Sequence, residues 1–310
     1  MPQGDESDQT VARHEFSDSD HMSVTNGWAA QGLRLLATMV GAAGRTDNAS
    51  RFQAESDALF AAMKTSMWNG SAFCDGICTE VGGNSRVMSA IFSLAHGWGI
   101  PEADIPSVWS TVADWGIEQI GDYGAFYWQL AVAGGYYASP NLYVSPDDGT
   151  AIVNALTKCD EYSWCSGLRD DNLTMTRESW HDGTYSHGWG TSAIIGVTMG
   201  VLGVHQTAPA FANFSIVPKL GPLQRASGVV PCLRGFINVT ATPGALDVAV
   251  PCGTRATLCA PRSSRDMWPA NAALELDGDR VDFVMRSGHF CAAEPVGCGA
   301  GGAHRRLRIV

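Results

Sequence analysis

The hydrophobic periodicity changes once along the 310 residues, and this change limits the possible folds. Up to about residue 206, apolar residues recur at the three- to four-residue spacing that is typical of amphipathic helices. From 208 to 310 apolar and polar residues alternate, and nine of the 14 prolines lie there. Alternation broken by frequent turns is typical of antiparallel strands. The sequence therefore predicts a helical domain, 1–207, followed by an antiparallel β-domain, 208–310.

The helical domain is predicted to consist of successive helical hairpins. The predicted helices are 25–44, 50–68, 85–99, 105–121, 124–138, 146–159 and 190–204. Thr25 and Asn26 are expected to cap the first helix, and Pro106 lies early in the fourth, where a missing N–H costs nothing. One face of the first helix carries large apolar side chains, those of Trp28, Leu35, Leu36 and Met39. Hairpins in succession predict a toroid of paired helices; an irregular helical bundle is the alternative.

Two hairpins are predicted in the β-domain. In "INVTATPGALDVAVP" a Pro-Gly turn sets Ile237, Val239 and Ala241 opposite Val250, Val248 and Leu246. In "LELDGDRVDF" the turn is Asp277-Gly278.

Composition excludes several classes of protein. Apolar residues make up 45% of the chain and charged residues only 16%, which favours a well-buried globular protein over a disordered one. The net charge of −11 would be repelled by nucleic acid and by anionic membranes. No apolar run reaches the roughly 18 residues that a transmembrane helix needs. We therefore expect neither a nucleic-acid nor a membrane partner; the oligomeric state is left open.

Sequons and cysteines favour an extracellular or secretory location. Half of the ten asparagines lie in N-x-S/T sequons, where chance gives about one or two: Asn48, Asn69, Asn172, Asn213 and Asn238. Of the nine cysteines, several are closely spaced: Cys74/Cys78, Cys159/Cys165 and Cys291/Cys298. Disulfides, free buried thiols and a metal site remain alternatives, although the pattern lacks the paired CxxC or HxxxH partners of structural zinc. An odd count leaves at least one thiol unpaired.

The stretch "TMTRESWHDGTYSHGWGTSA", residues 174–193, concentrates polar and aromatic side chains in a chain of low charge. The aromatic residues Trp180, Tyr185 and Trp189 could pack on the C–H face of a pyranose, and His181 and His187 could hydrogen-bond to its hydroxyls. Glu178 could serve as a general base, which must be ionised and held against water. From the residues alone, Glu178 could equally be a surface or capping carboxylate paired with Arg177 or Arg169.

The order of helical hairpins, then "TRESWHDGTYSHGWGTSA", then a β-domain, resembles the α-L-rhamnosidases of glycoside hydrolase family 78. Two further passages resemble that family: "NGWAAQGLRLLATMVGAAGRTDNASRFQAESDALFAAMKTSMWNGSAFCDG" and "GVLGVHQTAPAFANFSIVPKLGPLQRASGVVPCLRGFINV". The resemblance implies a mainly α fold, a partial (α/α)6 six-hairpin toroid, followed by an antiparallel β-sandwich. It also implies hydrolysis with inversion of terminal α-L-rhamnosyl residues, so the expected partner is a rhamnose-containing glycoside or polysaccharide. No cofactor or metal is expected.

The resemblance assigns roles to several residues. The family's W-E-x-W-D pattern implies that Glu178 is the general base and that Trp180 matches the second tryptophan. Arg177 replaces the first tryptophan, and His181 precedes Asp182. The family's S-H-x-W-G pattern falls on residues 186–190 and implies that His187 and Trp189 contact the sugar.

The family's general acid lies in an Asp-Cys-Pro-Gln-Arg-like segment that does not occur before Glu178. We therefore expect the chain to be truncated and inactive alone. The alternative function is a non-catalytic carbohydrate-binding or scaffold protein.

Other candidates are interpreted as structural. Asp182 precedes Gly183, and Asp-Gly is first of all a turn signal. His96 is expected in the helical core and Trp128 between helices. Three acids near helix ends, Asp75, Glu80 and Asp122, are expected to be solvated.

Overall fold

The computed structural model describes residues 22–79, 87–98, 100–113, 149–170, 172–178, 180, 184–259, 274–276, 279–281, 284–286, 289–296 and 304–309. Contacts divide the chain into two compact units. One comprises Met1–Ala131 with Gly135–Tyr137, and the other Val132–Gly134 with Ala138–Val310. The sequence-based boundary near 207, where helices give way to strands, stays a prediction.

The described part of the first unit is helical. Its helices are α1 (Ser23–Ala42), α2 (Thr46–Met67), α3 (Val87–His96) and α4 (Ile105–Ala113), with a 3-10 turn at Glu102–Asp104. Helix α1 packs against α2 and α3 against α4, so the first two predicted pairs are confirmed over these residues. The predicted helix 124–138, with Trp128, lies outside the described residues, as does the side chain of His96.

The predicted apolar face of α1 packs only in part: the Trp28 ring meets that of Phe92 in α3 edge to face, with 5.5 Å between centroids. Its large apolar side chains are exposed, at 41% for Trp28, 37% for Leu35, 38% for Leu36 and 69% for Met39. Small residues of α1 form its closest contacts. A Cβ atom on Gly27 would lie 2.1 Å from the Trp98 ring, and Ser56 of α2 donates a 2.7 Å hydrogen bond to the Ala30 carbonyl.

The predicted cap of α1 is also wrong. The helix begins at Ser23 without a side-chain cap, and Asn26 donates to the Met22 carbonyl from inside the helix.

Asp75 is buried, which contradicts its expected role as a solvated acid. Its side chain is fully inaccessible, and its Oδ1 accepts a 2.8 Å hydrogen bond from the Ser89 N–H in the first turn of α3. Its backbone carbonyl accepts from the Ser23 N–H at the start of α1. The neighbouring Cys74 is bonded to Cys78. Asp75 therefore joins the starts of two helices. Glu80 and Asp122 lie outside the described residues.

The described part of the second unit begins with short helices. These are α5 (Thr150–Thr157), α6 (Trp164–Arg169) and α7 (Ala193–Ile195), with a 3-10 turn at Trp189–Thr191 and a π-helical turn at Gly196–Val201. The closely spaced Cys159 and Cys165 form a disulfide, the first of the three alternatives, which closes the loop that enters α6.

Two sheets follow. Their strands are β1 (Val204–Gln206), β2 (Asn213–Ile216), β3 (Ala226–Cys232), β4 (Gly235–Thr242), β5 (Ala245–Pro251), β6 (Thr254–Cys259), β7 (Leu274–Leu276), β8 (Asp279–Val281), β9 (Val284–Arg286), β10 (His289–Val296) and β11 (His304–Ile309). The strand orders are β1-β2-β6-β10-β9 and β3-β4-β5-β11-β7-β8. Every pairing is antiparallel except β2 with β6, which is parallel.

The register of both predicted hairpins is confirmed. Val239 pairs with Val248 and Ala241 with Leu246, with buried side chains, so the Pro-Gly turn and the alternation both hold. In the second hairpin, Leu276 pairs with Asp279 across residues 277 and 278.

Cys252 and Cys259 each take part in a disulfide, and Cys232 is the free thiol among the described residues. The expected pair Cys291/Cys298 lies outside the described side chains. In the part of the chain that the structure covers, no helix has the length and apolar character to cross a membrane.

Candidate active site

A short hairpin in the second unit carries the predicted base. Arg177 bridges Tyr185 in antiparallel fashion, the Glu178 N–H donates to the Thr184 carbonyl at 2.9 Å, and the Ser186 N–H donates to the Thr176 carbonyl at 2.7 Å. The hairpin folds residue 184 back beside residue 178, although six positions separate them. The two halves of the motif therefore meet in space.

Glu178 is held by this fold. Its Oε2 accepts a 2.7 Å hydrogen bond from the Thr184 N–H and a 2.8 Å bond from the Thr184 hydroxyl. The side chain is 12% exposed. Two donors on one oxygen fix the orientation of the carboxylate and favour its ionised form.

His187 joins the same network. Its Nδ1 lies 2.8 Å from the Thr184 hydroxyl oxygen and 3.6 Å from Glu178 Oε2, and its side chain is 23% exposed. An ionised carboxylate only accepts hydrogen bonds, so the single Thr184 proton goes to Glu178. His187 Nδ1 must then carry a proton and donate it to Thr184. In the neutral ring this fixes Nε2 as a hydrogen-bond acceptor.

Aromatic packing stabilises the hairpin. Trp180 is 8% exposed, and its ring meets that of Trp164 edge to face with 5.2 Å between centroids. The Trp164 indole N–H donates to the Gly190 carbonyl at 2.8 Å. A Cβ atom on Gly190 would lie 2.3 Å from the Arg177 carbonyl oxygen, so only glycine fits. Close packing against Arg177 thus explains the glycine of the S-H-x-W-G pattern.

The other predicted site residues divide into two groups. Tyr185 is described and 60% exposed. His181 and the side chain of Trp189 lie outside the described residues, as does Asp182, which was expected to form a turn.

The arginines proposed as partners of Glu178 make other contacts. Arg169 pairs with Asp170, with 2.6 Å between Nε and Oδ1, and Arg177 donates to the Trp180 carbonyl at 2.7 Å. The Asp170 hydrogen bond raises the pKa of the Arg169 side chain, and Arg169 lowers that of Asp170.

Sequence reasoning missed Thr184 and Trp164. Thr184 links the base to the histidine, and the signal was its position three residues before His187 in a loop that returns on Glu178. Trp164 had no signal, because it belongs to α6 and reaches the motif only through tertiary packing. Among the described side chains, no group of three or more histidines, cysteines or acids could hold a metal ion.

Comparisons with known proteins give a likeness in structure and none in sequence. No protein-family model matches the chain, and no curated protein matches its sequence. Among solved structures, the α-L-rhamnosidase from Dictyoglumus thermophilum superposes with a TM-score of 0.67 at 11% identity. The match covers 91% of this chain and 31% of that one, so the chain spans less than a third of that enzyme's length. At this identity the likeness shows the fold alone, a chain of helices and two sheets.

Proposed function

We propose that the chain contributes the general-base side of the active site of an α-L-rhamnosidase-like glycoside hydrolase that inverts the anomeric carbon. The observation that carries this proposal is the hydrogen-bonded series His187–Thr184–Glu178. The structural likeness to an α-L-rhamnosidase supports the choice of substrate. The toroid and β-sandwich arrangements implied by the family resemblance belong to the same proposal.

The arrangement of Glu178 suits a general base. An inverting glycosidase needs one carboxylate to take a proton from the water that attacks the anomeric carbon. A second carboxyl group, about 6.5–9.5 Å away, protonates the leaving oxygen. The donors from Thr184 favour an ionised Glu178, and its low exposure limits competition from bulk water.

His187 suits a hydroxyl-binding role. The hydrogen bond between Nδ1 and Thr184 fixes the orientation of the imidazole ring, and the partly exposed side chain can hydrogen-bond to a sugar hydroxyl. The same series couples binding to catalysis, because a ligand that orders His187 also orders Thr184 and hence the carboxylate. We propose Trp180, Tyr185, Trp189 and His181 as further parts of the sugar-binding wall.

The proposal is tested by turnover and binding together. An aryl α-L-rhamnoside is offered to the 310-residue chain and to the longest in-frame product of its gene, because a general acid is needed besides Glu178. We expect hydrolysis by the product that carries both groups, and rhamnose binding that His187→Ala weakens. Binding without hydrolysis by either product would replace this function with a non-catalytic carbohydrate-binding one. If neither product binds or hydrolyses the rhamnoside, both the hydrolytic and the carbohydrate-binding function are refuted.

A further inference from the structure

One exposed strip of the β3–β4 hairpin combines apolar residues with a modification motif. The sequence "FINVT" runs along β4, whose side chains alternate between exposed and buried. Phe236 and Asn238 are exposed and Thr240 is half-buried, whereas the intervening Ile237 and Val239 are buried. Because alternate strand residues share a face, the aromatic ring, the asparagine and the threonine line one outer surface.

The neighbouring strand extends this apolar surface. Val229 of β3 pairs directly with Asn238, and directly paired residues of an antiparallel ladder lie about 4.5–5.5 Å apart. Val229 is 58% exposed, Phe236 is 56% exposed, and Leu233 in the connecting turn is 78% exposed. Asn238 therefore stands between exposed apolar side chains on a strand, a position that otherwise carries polar residues.

We propose that Asn238 is an N-glycosylation site and that the first N-acetylglucosamine of the glycan packs over Phe236 and Val229. The donor is a lipid-pyrophosphate-linked oligosaccharide. A bond forms between Asn238 Nδ2 and the anomeric carbon of the sugar, the bond from that carbon to the lipid pyrophosphate breaks, and Nδ2 loses one proton. The apolar C–H face of the sugar then covers surface that is in contact with water in the bare protein.

The Asn213 sequon also has a phenylalanine two residues before its asparagine, but its surroundings differ from those of Asn238. In "FANFS", Phe211 precedes Asn213, which is exposed. Phe211, however, packs edge to face on Phe214, with 6.3 Å between centroids, and Ser215 is buried at 3% exposure. The three positions of that sequon therefore share no exposed face, and a glycan on Asn213 would have no aromatic platform.

The remaining features agree with passage through a secretory compartment. All five sequon asparagines are exposed, and the Cys74–Cys78 and Cys159–Cys165 disulfides fit an oxidising environment. This inference does not depend on the proposed enzymatic function.

The test measures occupancy and then the coupling of the glycan to Phe236. The chain is secreted from eukaryotic cells behind a supplied signal sequence, and glycopeptides are mapped by mass spectrometry. We expect Asn238 to be occupied in most molecules and unmodified in Thr240→Ala. Loss of the glycan through Asn238→Gln should lower the Tm by about 2–4 °C. In a Phe236→Ala background the same change should have no effect.

Three controls separate the glycan from the substitution. Asn238→Gln made in bacteria, without glycan, should melt as the bacterial wild type does. Asn213→Gln should show no dependence on Phe236, and Asn154→Gln, an exposed asparagine outside any sequon, should change neither mass pattern nor Tm. An unoccupied Asn238 in folded secreted protein would overturn the proposal. An equal loss of Tm with and without Phe236 would overturn the packing of the sugar.

Discussion

Two carboxylates, Glu178 and Asp75, are both held by backbone N–H donors, but in different ways. Asp75 is fully buried, and its backbone and side chain join the starts of α1 and α3. Glu178 keeps some exposure, is held by one threonine, and lies beside a histidine whose ring is also partly accessible. A carboxylate that serves folding is closed to solvent, whereas one that serves chemistry must be ordered and still reachable. The expected consequences of mutation differ accordingly.

The largest effect should come from Glu178→Gln, made in the gene product that hydrolyses the rhamnoside. The amide keeps the shape of the side chain but cannot take a proton, so turnover should fall about 10²- to 10⁴-fold. Thermal melting should change little, because an amide oxygen can still accept the two hydrogen bonds from Thr184. Turnover and Tm are measured on the same samples, with the exposed Glu161→Gln as the control. Retention of more than about a tenth of the activity would make Glu178 structural.

Asp75→Ala should show the reverse pattern. Removing the carboxylate leaves the Ser89 N–H without its acceptor in a buried position, which costs about 1–3 kcal/mol of unfolding free energy. Denaturant unfolding measures this loss, and the exposed Asp57→Ala should stay within about 0.5 kcal/mol of wild type. Asp75→Asn should cost less, because an amide oxygen still accepts. Equal stability of Asp75→Ala and Asp57→Ala would remove the structural half of the comparison.

The buried His205 should make the stability of the protein depend on pH. Burial and the nearby Lys219 lower the pKa of His205 from 6.5 to about 3, against an opposing hydrogen bond to the Met199 backbone. Between these values the unfolded chain binds a proton that the folded chain does not, so stability is lost as the pH falls from 6.5 towards 3. We expect an unfolding free energy lower by about 1.4 kcal/mol at pH 5.5 than at pH 7.5 from this group. His205→Gln should remove this contribution to the pH dependence of the unfolding free energy. An unchanged pH dependence would contradict the assignment to His205.

The smallest effect should come from Thr184→Val. The valine keeps the backbone donor to Glu178 but removes the hydroxyl that links it to His187. We expect a loss in kcat/KM of about tenfold, the lower end of the range for a hydrogen bond to a charged group, because the backbone N–H still holds the carboxylate, with Thr184→Ser restoring most of it. Steady-state kinetics measure both variants. Valine and serine variants of equal activity would show that the series has no part in catalysis.

Local patterns predicted some of these features and missed others. The β4–β5 register followed from alternation and a Pro-Gly turn, both of which are visible in sequence. The close contacts of α1 did not follow from its apolar stripe, because Gly27 meets the Trp98 ring and Ala30 meets Ser56 only in the folded chain. Asp75 lies in a loop without periodicity, so nothing signalled its burial. Glu178 and His187 came from a motif, but Thr184 gained its role only when the hairpin folded back.

The most direct test of Glu178 as the base uses an external nucleophile. The Glu178→Ala variant is made in the gene product that hydrolyses the rhamnoside. There, azide can occupy the position of the activated water and attack the anomeric carbon of an aryl α-L-rhamnoside. The account predicts that azide restores turnover and that NMR identifies the product as the β-L-rhamnosyl azide, while the wild type releases β-L-rhamnose first. No rescue, or an α-L-rhamnosyl azide, would contradict the assignment of Glu178 as the base of an inverting hydrolase.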